Sequence, residues 1–194
     1  MKLTNNKTYN QINKLVSETA CPINTLCISY PYKYAAKAAC LNWYDIYFAI
    51  ENKYLVHQSA IEHAMFELEK SADYTQAVLD LAVLCPNEAI FPHSIYPFIV
   101  ELSNTVEDTE KIKAKDKMMY VLLKWVYEHK DDYEDIFDVS SIICDDFDFP
   151  ESITHFAWRY SPMKGPDLGS VEKNIERIFD EWKQFLDEQH EKWN

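Results

Sequence analysis

Glycine is nearly missing from this chain of 194 residues; only Gly165 and Gly169 occur. All-β folds use glycine repeatedly in turns that need positive φ, and phosphate-cradling loops use it where backbone must approach a ligand closely. Its scarcity argues for helices and against nucleotide loops of the Walker or Rossmann kind. Basic charge is also short: 19 Lys and Arg stand against 32 Asp and Glu, a net charge of −13. Nucleic-acid affinity rests on cations that neutralise phosphates, so that class of partner is disfavoured. An acidic surface instead favours a basic protein partner. The five cysteines (Cys21, Cys27, Cys40, Cys85 and Cys144) are odd in number and form no CxxC pair. That pattern argues against a disulfide framework or a zinc site. Cys85 and Cys144 sit among apolar residues and read as small core residues. No stretch approaches the ~20 apolar residues that span a bilayer. The richest, 34–50, is broken by Lys37 and Asp45. No basic-then-apolar leader opens the chain. The expectation is a soluble cytoplasmic protein without a membrane partner.

What is present is apolar and periodic. Hydrophobic residues make up 47% of the chain, enough for one domain with a sizeable core. Residues 1–20 are polar, with Ile12, Leu15 and Val16 at helical spacing; 21–31 reads as a loop. We therefore divide the chain into an extension or short helical region, 1–40, and an all-helical domain, 41–194. In 32–54, Leu41, Tyr44, Tyr47 and Phe48 follow a three-to-four spacing. Ser59 with Glu62, and Asp73 with Gln76, read as capping boxes opening two helices of a hairpin. Pro92 and Pro97 suggest a short helix near 94–102. The 107–130 run is the longest helical pattern, with Ile112, Leu122, Trp125 and Val126 on its apolar face. Asp132 is a candidate cap for the next helix. Ser170 caps a last helix in which Val171, Ile175, Ile178, Phe179, Trp182, Phe185 and Leu186 recur at three and four residues. The expected fold is all-α: a single-domain bundle or stack of hairpins with about eight helices.

The most distinctive stretch is 142–162. Ile142 and Ile143 end one helix; Asp145, Asp146 and Asp148 form an acidic elbow; Pro150 opens a second helix carrying Glu151, His155, Trp158, Arg159 and Tyr160. Proline suits a helix start because its missing N–H needs no partner there, and Glu151 complements the positive end of the helix dipole. Between residues 128 and 151 there are ten acidic residues and one lysine. Such density reads as a solvated acidic face, as a docking surface for a basic protein, or as a metal site. Calcium-loop spacing is absent. Glu151 and His155, four apart, do not match the three-residue spacing of helical di-metal proteins. Cys144 beside two aspartates is a poor thiolate. No metal or cofactor is expected. Trp43, Tyr44, Trp125 and Trp158 read as core rather than as a pocket lining.

Three pieces resemble one bacterial family, the domain of unknown function 2247. They are the 41–50 segment with Trp43, Asp45 and Ile46, followed by Ala60, Ile61 and Ala64; the Leu123 and Trp125 helix core; and the elbow from Asp146 to Glu151 with Arg159, Tyr160 and Pro162. The resemblance covers 41–186. Cys144 and Asp145 depart from it, since a small or aromatic residue is expected before the acidic pair. The resemblance implies a small bacterial binder, similar to immunity partners of toxins, with no catalytic residues to carry over. The expected function is thus a non-enzymatic immunity-like protein that blocks a toxin domain, using Asp145, Asp146, Asp148, Glu151, Trp158, Tyr160, Tyr133 and Glu134. The rival readings are a carboxylate or metal enzyme built on Asp146, Asp148, Glu151 and His155, and a helical adaptor scaffold.

Overall fold

A computed structural model of the protein describes residues 23–70, 73–84, 92–159, 161 and 164–194. Among these residues the regular structure is helical and no strand occurs. The helices are α1 (Tyr32–Ala38), α2 (Trp43–Glu51), α3 (Gln58–Lys70), α4 (Gln76–Ala82), α5 (Pro92–Asn104), the single turn α6 (Asp108–Lys111), α7 (Ala114–Glu128), α8 (Ile136–Asp146), α9 (Glu151–Ala157) and α10 (Val171–Trp193). A 3-10 turn, Lys130–Asp132, separates α7 from α8. The fold is a single all-α domain. The expected helix within 1–20 lies outside the described residues.

α7 is the axis of the bundle. Its residues from Lys117 to Leu123 are buried without interruption, so no face of that helix is left to solvent. A helix apolar all round belongs in the middle of a core. α1, α2, α8 and α10 pack around it, while α3, α4 and α5 close one side through α2. α1 lies before residue 41, in the region read as an extension. Its Tyr32, Ala35 and Ala38 are nevertheless buried in the common core. α10, at 23 residues, is the longest helix, and it lays Trp182, Phe185, Leu186 and Trp193 on the bundle.

The starts of α2, α4, α8 and α10 are capped by side-chain oxygens that accept from otherwise unpaired N–H groups. Asn42 and Asp45 form a reciprocal box on α2: Asn42 accepts from Tyr44 N at 2.9 Å and Asp45 N at 3.0 Å, and Asp45 accepts from Asn42 N at 2.9 Å. Ser170 caps α10 as expected, accepting from Lys173 N at 3.3 Å.

Several sequence expectations are corrected. Ser59 lies inside α3, and its buried Oγ has no hydrogen-bond partner among the described residues, so it is not a cap. Thr75, not Asp73, caps α4, and Asp135, not Asp132, caps α8, accepting from Phe137 N at 2.9 Å. α5 runs for 13 residues straight through Pro97. The 107–130 pattern splits into α6 and α7, and Ile112 at the break is 79% exposed rather than core. Trp182 and Leu122 are buried as expected, whereas Trp125, Ile178, Ile175 and Phe179 are half-buried and Val171 is exposed.

Candidate functional site

The elbow is a helix stop of defined hydrogen bonding. Beyond Asp146, the last residue of α8, Asp148 N donates to Asp145 O at 3.1 Å and Phe149 N donates to Cys144 O at 2.7 Å. These are the two backbone bonds of a Schellman motif. Asp148 occupies the left-handed position that glycine usually takes, at φ 62°, and Phe149 follows at φ 51°. A left-handed aspartate is tolerated; a left-handed phenylalanine is an outlier with a conformational cost. Phe149 is 46% exposed, and its ring meets Trp158 edge-on at 5.6 Å. Pro150 then stands as the residue before α9, one position earlier than expected, and Asp148 does not cap that helix.

The acidic residues of the elbow have different employments. Asp146 is half-buried and grips the 23–31 loop: Thr25 donates to it from its backbone N at 2.9 Å and from its hydroxyl at 2.6 Å. Asp148, 85% exposed at its side chain, pairs with Lys115 at the start of α7 at 2.5 Å. Asp145 and Glu151 are exposed, with no ion pair among the described residues. Glu134 is exposed and Tyr133 half-buried, at the opposite end of α8. The 11 residues of α8 put roughly 16 Å between those two groups. Trp158 is half-buried at the end of α9 and packs against the core. Tyr160 lies outside the described residues. α9 folds back along α8, so Arg159 reaches Asp135 and Asp138 and ties the two helices together. Ser140 Oγ adds a buried bond to Ala157 O at 2.6 Å.

The four residues of the rival metal or carboxylate site do not converge. Asp146 faces Thr25, Asp148 faces Lys115, and His155 stands 3.8 Å from Glu181 of α10. Among the described residues no three His, Cys, Asp or Glu side chains are placed to hold one ion. A cavity of about 330 Å³ is lined by Ser152, His155, Lys164, Glu181 and Gln184, and among the described residues no hydrogen bond joins the Ser152 hydroxyl to His155. Cys144 is buried, and burial, rather than its acidic neighbours, pushes its thiol up to about 12. Such a thiol is inert at neutral pH. Trp43 is core, donating to Glu67 at 2.8 Å.

Charge is distributed unevenly over the fold. Residues 128–194 carry 18 acidic and 7 basic side chains, against 14 and 12 in residues 1–127. Nearly all of the net charge therefore lies in the stretch that forms α8, α9, α10 and their connections. The elbow's partners Thr25 and Lys115 were not legible in the sequence, because nothing local marks a contact across 121 or 33 residues.

Residues 32–190 match a family described as uncharacterized protein conserved in bacteria (DUF2247). The chain belongs to this family. The match begins ahead of the 41–186 span that the sequence resemblance covers, and it takes in α1. No curated protein and no solved structure matches the chain. Among the described residues no helix is long and apolar enough to cross a membrane.

Proposed function

We propose that this protein is a non-enzymatic, immunity-like cytoplasmic binder that blocks a basic protein, such as a toxin domain, through the α8–α10 layer. One observation carries the reading: residues 128–194, which form α8, α9, α10 and their connections, carry 18 acidic side chains against 7 basic ones. Several of them, including Asp131, Asp132, Glu134, Asp145 and Glu151, are exposed without an ion-pair partner among the described residues. A one-signed face speeds encounter with an oppositely charged partner and discriminates against others. Trp158 and Phe149 supply aromatic surface beside it, the residue type that dominates binding hot spots.

The employments of Asp146 and Asp148 refine the test. Asp146 belongs to the fold, so the informative variant changes Glu134, Asp145 and Glu151 to their amides and leaves Asp146 in place. Against a basic toxin domain as the partner, association at low salt is expected to slow by about tenfold, and the difference should shrink as salt screens the field. Trp158→Ala should act mainly through faster dissociation. Unchanged association of the amide variant at both ionic strengths would place the interface elsewhere.

A further inference from the structure

A groove of about 620 Å³ runs between α1 and α3. Its two walls have opposite charge. Lys33 and Lys37 line it from α1, one helical turn apart, and Glu62 and Glu69 line it from α3, two turns apart. Ala36, Met65 and Phe66 supply apolar surface between them, and Met65 is 51% exposed. None of these four charges makes an ion pair or hydrogen bond among the described residues. Lys111, Lys113, Lys115, Lys117 and Lys124, in contrast, are each paired with a carboxylate. Opposite charges that face each other across a groove without closing it are available to something that enters it.

One occupant is specified by the pattern. A two-fold interface is isologous: each residue meets its counterpart's partner, so a surface that is positive on one side and negative on the other complements itself. With the two-fold axis along the groove, the α1 wall of one copy lies over the α3 wall of the other, and the same contact repeats. Among the residues that line the groove the charge itself balances, two lysines against two glutamates, so two copies meet here without a net repulsion between the walls. We propose that the α1–α3 groove is a self-association face, in which Lys33 and Lys37 of each copy meet Glu62 and Glu69 of the other around the paired Met65 side chains. The nine lining residues fall short of the roughly 20–30 per side of a standard interface, so the dimer is weak, with a dissociation constant on the order of 100 μM.

Sedimentation of the full chain from about 10 μM to several hundred micromolar, at low and high salt, tests this. Wild type should shift toward dimer with concentration, less so at high salt. K33E/K37E makes both walls negative and E62K/E69K makes both positive; each should weaken association by about tenfold or more while melting like wild type. Their equimolar mixture should associate as strongly as wild type, because a doubly negative groove complements a doubly positive one. Three results would each overturn the proposal: a wild type monomeric across the range, a dimer undiminished in both variants, or two folded variants whose mixture fails to associate. A monomeric wild type would leave the groove to a foreign helix or a small zwitterion.

Discussion

Lys115 and Lys117 stand two residues apart on α7, and each meets an aspartate at 2.5 Å. The Lys117–Asp45 pair is interior, its side chains 5% and 0% exposed; the Lys115–Asp148 pair is at the surface, 35% and 85% exposed. The chemistry is the same and the surroundings differ. In the interior, Lys117 also donates to Cys40 O at 3.0 Å and lies over the Trp193 ring, while Trp193 O accepts from Cys40 N at 2.8 Å. Asp45 serves both the α2 capping box and this lysine. Burial still holds its carboxyl above the ordinary value against the pull of Lys117. The interior pair therefore joins α2, α7 and the end of α10 at one node, and the surface pair merely decorates the elbow. A buried pair adds little net stability compared with apolar residues, yet removing one partner strands a charge.

That contrast orders the expected effects. Lys117→Ala should cost the most, about 3–5 kcal/mol in chemical denaturation, because Asp45 is left buried and unpaired. A loss below 1 kcal/mol would mean that water reaches the node. Acid comes next. His63 is buried, its Nδ1 2.9 Å from the Tyr32 hydroxyl, and burial holds its pKa down to about 4. The unfolded chain protonates this histidine near 6.5 and the folded chain only near 4, so its stability contribution, complete above ~6.5, is lost as pH falls, by about 3 kcal/mol at pH 4. Asp45, with its raised pKa, works in the opposite sense. Denaturation midpoints between pH 7 and 4 should fall steeply in wild type and more gently in His63→Gln. An equal slope in both would assign the acid loss to other groups.

Asp146→Ala occupies the middle of the range. It removes two hydrogen bonds that hold the 23–31 loop, and a loss of about 1–3 kcal/mol is expected. Asp146→Asn keeps one acceptor and should fall between that variant and wild type. Lys115→Ala, which breaks only the surface pair, should change stability by less than about 1 kcal/mol. If its cost approached that of Lys117→Ala, burial would not be what separates the two lysines.

Much of the fold was legible locally. The helix class followed from glycine scarcity and apolar spacing, and the Ser170 start and the helix, elbow and second helix start within 142–157 are present, but that second helix stops at Ala157, so Trp158 and Arg159 lie beyond it rather than on it. Misreadings arose where neighbouring side chains offered equivalent caps. Asp73 and Thr75, or Asp132 and Asp135, both carry an acceptor oxygen, and the choice depends on the angle at which the chain enters the helix. Of the candidate site, the acidic residues were found and their roles were not. Asp145, Asp146 and Asp148 look alike in sequence; one is exposed, one holds Thr25, and one pairs with Lys115.

Helical periodicity, charge sign and the acidic elbow are properties of neighbours within a few residues, so the sequence by itself determined them. The tertiary structure alone decided that α7 lies at the centre, that Asp45 and Lys117 meet across 72 residues, and that Asp146 is bound to a loop 121 residues away. The physical reason is one of range. A turn or cap is settled by the backbone's own geometry, whereas a long-range pair forms only after many apolar faces have packed and fixed where each helix stands.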